Sequence, residues 1–147
     1  MEDPHVLPSV GFVEAFKKGV SHLTDYESRS RRSEYWFLFL GVYLIGYVVG
    51  IIAISVAILL IDEDKDDIIL YVNGFVNLIT FFFMLPCAVR RLHDIGKSGW
   101  FMFLICVPLA GWIILVVFFC IDSQMQTNEY GPSPKYSNFP MEGDTMI

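Results

Sequence analysis

The sequence predicts an all-α integral membrane protein with three transmembrane helices and an N-terminal amphipathic helix at the membrane interface. Of its 147 residues 54% are hydrophobic and 16% aromatic, which exceeds the apolar share that is usual in soluble domains. The apolar residues are concentrated in three uncharged segments, 35–61, 68–89 and 98–121. Since about 20 such residues cross the hydrocarbon core of a bilayer, each segment is long enough to span. A single domain is expected at this length.

The N-terminal region is predicted to be a flexible start over residues 1–8, followed by the membrane domain over 9–134. In the helix predicted next, apolar residues recur at three- and four-residue spacing, and they are Val10, Phe12, Val13, Phe16, Val20 and Leu23. The pattern is too short and too polar to span. It therefore favours a helix that lies on the membrane surface. A helix packed on the protein's own core would bury the same face and is the alternative.

The first predicted span, 35–61, begins with Tyr35 and Trp36, and aromatic side chains of this kind anchor helices at membrane interfaces. Within it, Gly46 and Gly50 form a Gly-x-x-x-Gly pair. Small residues let a second helix approach closely in lipid, where no hydrophobic drive exists between helices. The pair predicts helix packing, within one chain in preference to between two copies.

The second predicted span, 68–89, follows an acidic turn over 62–67. Asn73, Asn77 and Thr80 share one face of this helix, because they are four and three residues apart. Amides in hydrocarbon need hydrogen-bond partners, so this face is expected to point at another helix. Pro86, near the end of the span, is expected to kink the helix or help to end it.

The third apolar segment, 98–121, is open to two interpretations, because Pro108 and Gly111 lie in its middle. One is a kinked third span. The other is a re-entrant hairpin, which membranes tolerate only where protein or water satisfies the backbone. Each half of a hairpin would have only about ten residues, short of the 20 or so that a span needs, so the sequence favours the full span. Residues 135–147 are predicted to be a disordered tail.

The charges in the short loops predict the orientation. Three arginines precede the first span and three basic residues follow the second, whereas the loop between these spans carries five acids and one lysine. The positive-inside rule then places the N-terminus in the cytoplasm and the acidic loop outside. With three spans the C-terminus lies outside. With a re-entrant third segment the tail returns to the cytoplasm and meets the basic loop.

Three stretches, 29–36, 90–100 and 128–134, together resemble the small bacterial inner-membrane proteins grouped as domain of unknown function 805. The middle stretch, from Arg90 to Trp100, is the most specific of the three. The first stretch departs from the usual Gly-Arg-Ala-Ser-Arg, and the tail lacks the usual glycines and arginine at Ser123, Gln126 and Glu129. The resemblance implies the architecture and a location in the bacterial inner membrane, and it lends no mechanism.

The polar residues of these stretches form the candidate binding surface for lipid head groups or a partner. They are Arg29, Arg32, Glu34, Trp36, Arg90, Arg91, His93, Asp94, Lys97 and Trp100. Guanidinium groups on one membrane face suit anionic head groups or a phosphate-bearing ligand. In the alternative, which the sequence favours, the cations fix the topology and pair internally with Glu34 and Asp94.

The sequence predicts no catalytic, cofactor or metal site. His93 and Asp94 are adjacent, so on a helix their side chains do not face each other. The three histidines and three cysteines lack the paired spacing of metal ligands. The basic cluster alone does not support nucleic-acid binding. We therefore expect a non-enzymatic membrane module that binds lipids or a partner, with a homo-oligomer or a membrane protein as the partner. The alternative is a small channel or transporter subunit working as an oligomer.

Overall fold

The structure is a computed structural model that describes residues 5–60 and 65–137. Its elements in chain order are strand β1 (His5–Val6), helix α1 (Phe12–Ser21), helix α2 (Arg32–Leu60), helix α3 (Lys65–Asp94), a 3-10 helix (Gly99–Cys106), helix α4 (Ala110–Cys120) and strand β2 (Tyr136–Ser137). Helices α2 and α3 lie antiparallel along each other. The remaining elements gather around the end where α2 begins and α3 ends.

Two helices of the described chain, Arg32–Leu60 and Asp66–Asp94, are long and apolar enough to cross a membrane. Their most apolar stretches are only 6% and 11% buried within the protein. A core helix of a soluble protein is mostly buried, whereas these helices turn large apolar side chains such as Leu59 and Tyr71 outward. Outward apolar faces of this length fit the hydrocarbon core of a bilayer.

Helix α3 runs further than the sequence predicted. It continues through Pro86 to Asp94, so the predicted connection from Arg90 onward is helical in its first half. The helix ends where Gly96 adopts a positive φ of 68°. There Lys97 N donates to the Leu92 carbonyl at 2.9 Å and Gly96 N donates to the His93 carbonyl at 3.0 Å. This pair of bonds is the Schellman arrangement, which favours glycine at this position.

The third apolar segment is a hairpin, and this corrects the favoured prediction of a full span over 98–121. A γ-turn divides the 3-10 helix from α4, with Leu109 at φ 62° and a bond from Ala110 N to the Pro108 carbonyl at 2.8 Å. Gly111 lies directly against the Leu104 carbonyl, so the two arms pack closely. The 11 residues of α4 rise about 16 Å, which is half of a hydrocarbon core about 30 Å thick.

Both ends of this hairpin lie beside the C-terminal end of α3. Ser98 follows α3 by a short turn, while after α4 the backbone N–H of Gln124 donates to the Asp94 carbonyl at 3.1 Å. The tail therefore returns to the basic connection, as in the re-entrant alternative. Three spans are not confirmed. The described chain has two long helices and one hairpin that turns back.

Helix α1 packs against α2, as in the second of the two interpretations of its apolar face. Ala15 and Gly19 are buried, and Gly19 lies against Leu38 while Phe16 lies against Gly41. Val13 and Val20, by contrast, are exposed. Contact of α1 with the membrane surface stays a prediction.

The two ends of the chain meet in a small antiparallel sheet. His5 pairs with Ser137 and Val6 with Tyr136, and Leu7 N donates to the Lys135 carbonyl at 2.9 Å. The predictions of a flexible start over 1–8 and a disordered tail over 135–147 did not include this pairing. Residues 1–4 and 138–147, and residues 61–64 of the predicted acidic turn, lie outside the described residues.

Candidate functional site

The end of the bundle where α2 begins and α3 ends holds three features that are candidates for a functional role. They are a buried ion cluster around Asp94, a polar cleft beside His93, and an apolar cavity between α2, α3 and the hairpin. Most of the largest fully buried side chains of the described chain lie here, and they include Arg90, Arg91 and Asp94. Such charged groups are almost never fully buried unless they are paired.

Arg29 is the tie between the start of α2 and the tail. Its Nε donates to Asp94 Oδ1 at 3.1 Å. The two terminal nitrogens donate to the backbone carbonyls of Asp94 at 3.2 Å, Gln124 at 2.7 Å, Gln126 at 2.9 Å and Gly131 at 3.1 Å. Burial lowers the pKa of the Arg29 guanidinium from its ordinary value, and the Asp94 carboxylate opposes this shift. With all five donors used, Arg29 organises the tail and has none left for a ligand.

Arg91 approaches the same carboxylate from α3 itself. Its Nη1 donates to Asp94 Oδ2 at 2.6 Å, and its other nitrogens donate to the carbonyls of Phe119 and Ile121 at the end of α4. Ser123 Oγ donates to Asp94 Oδ2 at 2.5 Å. One buried carboxylate thus pairs with two buried guanidinium groups, while the arginines occupy carbonyls that the ends of α4 and the tail leave open.

The internal pairing that the sequence analysis favoured is therefore present for Arg29, Arg91 and Asp94. Glu34 is buried as well and pairs with Lys18 of α1 at 2.5 Å. Arg32 is different: its side chain is 42% exposed and pairs with Asp122, itself 44% exposed, at 3.0 Å. Binding of a head group by any predicted residue stays a prediction, and of these arginines Arg32 has the exposed side chain that such binding needs.

Arg90, Lys97 and Trp100 lie in two different environments. Arg90 is 2% exposed and its Nε has no hydrogen-bond partner. Lys97 is exposed and lies 5.9 Å above the Phe101 ring, and Trp100 is 77% exposed. Lys97 and Trp100 thus stand at the outer surface of the hairpin, where a cation and an indole suit a membrane interface.

The polar cleft, of about 550 Å³, lies between the turn that precedes α2, the end of α3 and the tail. Its described lining residues are Asp25, Tyr26, Glu27, Ser28, His93, Glu129 and Tyr130. Of these, the sequence analysis predicted only His93 as a binding residue. The other lining residues come from distant parts of the chain. The one sequence signal that pointed to any of them was the family resemblance over 128–134, which contains Glu129 and Tyr130.

His93 forms the inner wall of the cleft. Its ring stacks on Tyr130, with centroids 3.7 Å apart and planes 4° from parallel. The residue is 6% exposed, and its Nδ1 has no hydrogen-bond partner. The adjacent Asp94 turns to the opposite side, into the ion cluster, so the two do not form a proton-transfer pair.

Asp25 holds the rim of the cleft. Its carboxylate accepts hydrogen bonds from the Glu27 and Ser28 backbones at 3.0 and 3.1 Å and from the Ser28 hydroxyl at 2.5 Å. Burial raises the pKa of Asp25, but these hydrogen bonds outweigh it, and the pKa is lowered to about 2. Asp25 is therefore a carboxylate at neutral pH.

The apolar cavity, of about 590 Å³, opens between α2, α3 and the two arms of the hairpin. Aromatic and aliphatic side chains line it, and Asn77 is the one amide among its described lining residues. Trp36, predicted as a binding residue, is part of the wall. Tyr43, Trp112 and Val116 line the cavity and are also exposed on the outer surface, so the cavity opens onto the outer surface of the bundle.

The predicted helix-packing residues divide in the structure. Gly46 faces α3, since a side-chain carbon there would lie 3.2 Å from Thr80 Oγ1, whereas nothing lies within 4 Å at Gly50. Asn73 and Asn77 remain exposed and donate back to the carbonyls four residues earlier, at 2.9 and 2.8 Å. Among the described residues no group of three or more histidines, cysteines or acids is placed to hold a metal ion.

Comparison with known proteins relates the chain to bacterial membrane proteins. Residues 23–132 match the family model described as "Protein of unknown function (DUF805)". The inner membrane protein YhaI of Escherichia coli K12 is 34% identical over 119 residues, which cover 81% of this chain and 93% of YhaI. The inner membrane protein YhaH of the same strain is 28% identical over 129 residues, 82% of this chain and 95% of YhaH. No solved structure matches the chain.

Proposed function

The chain belongs to the DUF805 family of bacterial inner membrane proteins, and we propose that it is a non-enzymatic module that binds the hydrocarbon chain of a membrane lipid. The observation that supports this proposal is the apolar cavity between α2, α3 and the hairpin. Its volume of about 590 Å³ lies within the range of about 300–1,000 Å³ that is common for small-molecule sites.

The chemistry of the wall favours hydrocarbon over a polar ligand. A polar group inside such a wall would lose its hydrogen bonds to water without replacement, which costs several kcal/mol. Phe39, Met84 and Leu115, for example, offer dispersion contacts alone. A gap in a packed interior forfeits these contacts, and the bilayer supplies acyl chains next to the opening. The hairpin deepens the cavity because it ends halfway through the membrane.

The head group of such a lipid would lie near Arg32. Arg32 is one helical turn before the cavity residue Trp36, so the two side chains lie on the same side of α2. Its guanidinium is partly exposed and suits a lipid phosphate. The Asp122 carboxylate already pairs with it, so an anionic head group would compete with that partner.

The test is lipid retention by the purified protein. Ala88 is buried in the cavity wall, so Ala88→Phe fills the space, and native mass spectrometry from mild detergent should then detect less bound lipid. Ala110→Phe makes the same change at an exposed site of the hairpin and should leave the bound lipid unchanged. Equal lipid in Ala88→Phe and the parent protein would refute the proposal, provided that both variants keep their helical circular dichroism.

A second candidate, a subunit that assembles through α3, is favoured by Asn73 and Asn77. Their amides are exposed on a helix that crosses lipid, and each has donors or acceptors left for another helix. Interhelical hydrogen bonds in membranes contribute about 0.6–2 kcal/mol.

If this face binds a second copy, Asn77→Leu should lower the dimer fraction in lipid bilayers, measured by Förster transfer between labelled chains. Leu78→Val, on an exposed neighbour, is the control, and an unchanged dimer fraction in Asn77→Leu counts against the candidate. If the assembly forms a channel, the same variant should also reduce ion flux in proteoliposomes.

A further inference from the structure

We propose that the polar cleft beside His93 binds a cationic amine, either as a free ammonium compound or as the ammonium group of a lipid head group. The site is distinct from the apolar cavity and does not depend on it. Four kinds of observation on the described residues support it: the charge of the lining, the unused nitrogen of His93, the aromatic rings, and the size of the cleft.

The lining carries negative charge. Asp25, Glu27 and Glu129 supply three carboxylates, and none of the described lining residues is a lysine or an arginine. The nearby cations are Arg90, whose charge acts on Asp25, and Arg29, which pairs with Asp94; both are buried and lie outside the lining. The three carboxylates of the lining therefore have no cation among them, and a positively charged ligand lowers their repulsion.

His93 adds an unused hydrogen-bonding group. The residue is nine-tenths buried and lines the cleft, and its Nδ1 has no hydrogen-bond partner. The backbones of Glu27 and Ser28 lie within hydrogen-bonding reach of the ring, although Nδ1 itself has no bond. A buried polar atom without a partner costs free energy, and a neutral imidazole nitrogen can accept a bond from an ammonium N–H.

The two tyrosines extend the match to an organic cation. Tyr26 is 43% exposed at the cleft, and Tyr130 stacks on the His93 ring, with the Glu129 carboxylate beside its hydroxyl. Aromatic faces attract ammonium groups, most strongly where water is partly excluded. A cleft of about 550 Å³ is far larger than a single metal ion needs, and the described residues offer no metal-binding group of three.

Ethanolamine is the probe for a direct test, because it carries one ammonium group and also occurs as a lipid head group. Saturation-transfer NMR on the full chain in maltoside micelles should detect ethanolamine bound to the protein. Ethylene glycol, which has a hydroxyl where ethanolamine has the ammonium, should give no signal. Equal signals for both compounds would overturn the proposal, since charge would then play no part.

Two variants locate the site. Glu27→Gln with Glu129→Gln removes two exposed carboxylates and should weaken ethanolamine binding by about tenfold or more, which corresponds to about 1.4 kcal/mol. The control pair Glu14→Gln with Asp66→Asn removes the same charge at exposed positions outside the cleft and should leave binding unchanged. If the two pairs weaken ethanolamine binding equally, the effect comes from the net charge alone, and the proposed site is wrong.

His93→Phe tests the imidazole nitrogen, because it keeps a ring against Tyr130 and removes Nδ1. Binding should weaken while the thermal midpoint changes little, and unchanged binding would remove His93 from the site.

Nanodiscs of phosphatidylglycerol with and without phosphatidylethanolamine identify the source of the amine. If the signal of free ethanolamine is lost only in the nanodiscs that contain phosphatidylethanolamine, the site binds the lipid head group. If the signal is present in both kinds of nanodisc, the site binds the free amine. Ala88→Phe should not change any of these results.

Discussion

Arg29 donates from Nε to the carboxylate of Asp94 across 65 positions of the chain, and both side chains are buried. The same guanidinium binds the carbonyls of Gln124, Gln126 and Gly131. Through this one side chain the turn before α2, the end of α3 and the tail are fixed to one another. The cleft beside His93 has its walls on these three segments, so its shape depends on Arg29.

Replacement of Arg29 by methionine should therefore be strongly destabilising. The change leaves Asp94 with Arg91 and the Ser123 hydroxyl and removes a donor from four backbone carbonyls, and breaking a buried pair in this way typically costs about 3–5 kcal/mol. Arg32→Met is the matched control, because the Arg32–Asp122 pair is exposed and such pairs contribute about 0–1 kcal/mol. Unfolding in detergent, followed by tryptophan fluorescence, measures both. Similar losses in the two variants would contradict the structural role of Arg29.

Gly111 should not tolerate a side chain. A methyl group there would overlap the Leu104 carbonyl oxygen, and because that atom belongs to the backbone, the two arms of the hairpin would have to separate. Gly111→Ala is expected to destabilise the protein, as measured by unfolding in detergent followed by tryptophan fluorescence. Gly50→Ala, where nothing lies within 4 Å, is the control and should behave like the parent chain. A Gly111→Ala protein with parent stability would argue against the close packing of the arms.

The hairpin predicts that the tail lies on the same side of the membrane as the turn before α2. In a chain whose cysteines are replaced by alanine, Thr24→Cys and Gln126→Cys should react with an impermeant maleimide from one side and Asp67→Cys from the other. A third full span would instead place position 126 with position 67. The loop charges further predict that positions 24 and 126 face the cytoplasm, so both should react in inverted vesicles and not in spheroplasts.

Asp25 should give the fold a defined acid sensitivity. Its pKa is lowered from 3.8 to about 2 in the folded chain, so the folded state favours the carboxylate. The stabilisation is present above the unfolded pKa, near pH 4, and is lost as the pH falls toward 2. Ser28→Ala removes the hydroxyl donor and should raise the Asp25 pKa toward 3.8, as followed by the ¹³C shift of its carboxyl group. Ser21→Ala, at an exposed position of α1, should leave this titration unchanged. An unaltered Asp25 titration in Ser28→Ala would show that the hydroxyl does not hold the carboxylate.

The two long helices were predictable from the sequence. The uncharged segments 35–61 and 68–89 coincide with α2 and α3, which are described over 32–60 and 65–94. Residue 61 lies outside the described residues. Hydropathy suffices here because the cost of charge in lipid acts on each residue separately. Of the two effects predicted for Pro86, the end of the helix was wrong, since α3 continues to Asp94, and the kink stays a prediction. A proline removes one helical bond, and neighbouring contacts can compensate for the loss. The end of α3 depends instead on Gly96.

The candidate sites were predictable only in part. His93 and Trp36 were identified, since a histidine or an indole at a membrane boundary is conspicuous in any sequence. Asp25, Glu27 and Glu129 were not, because isolated acids in loops have no period, and their approach to His93 depends on the path of the tail. The arginines were seen as a group, whereas their burial and their individual partners follow from that same path.

By itself the sequence determined the membrane location, the two long helices and the concentration of polar chemistry at one end, since these depend on composition and local spacing. The tertiary structure alone decided that residues 98–121 turn back. An uncharged segment of that length is compatible with the hydrocarbon core either as one span or as a hairpin. The choice depends on Arg29, Arg91 and Asp94, whose buried pairing is complete only when the tail supplies its carbonyls and the Ser123 hydroxyl. Such pairing joins residues far apart in the chain, so no local pattern reveals it.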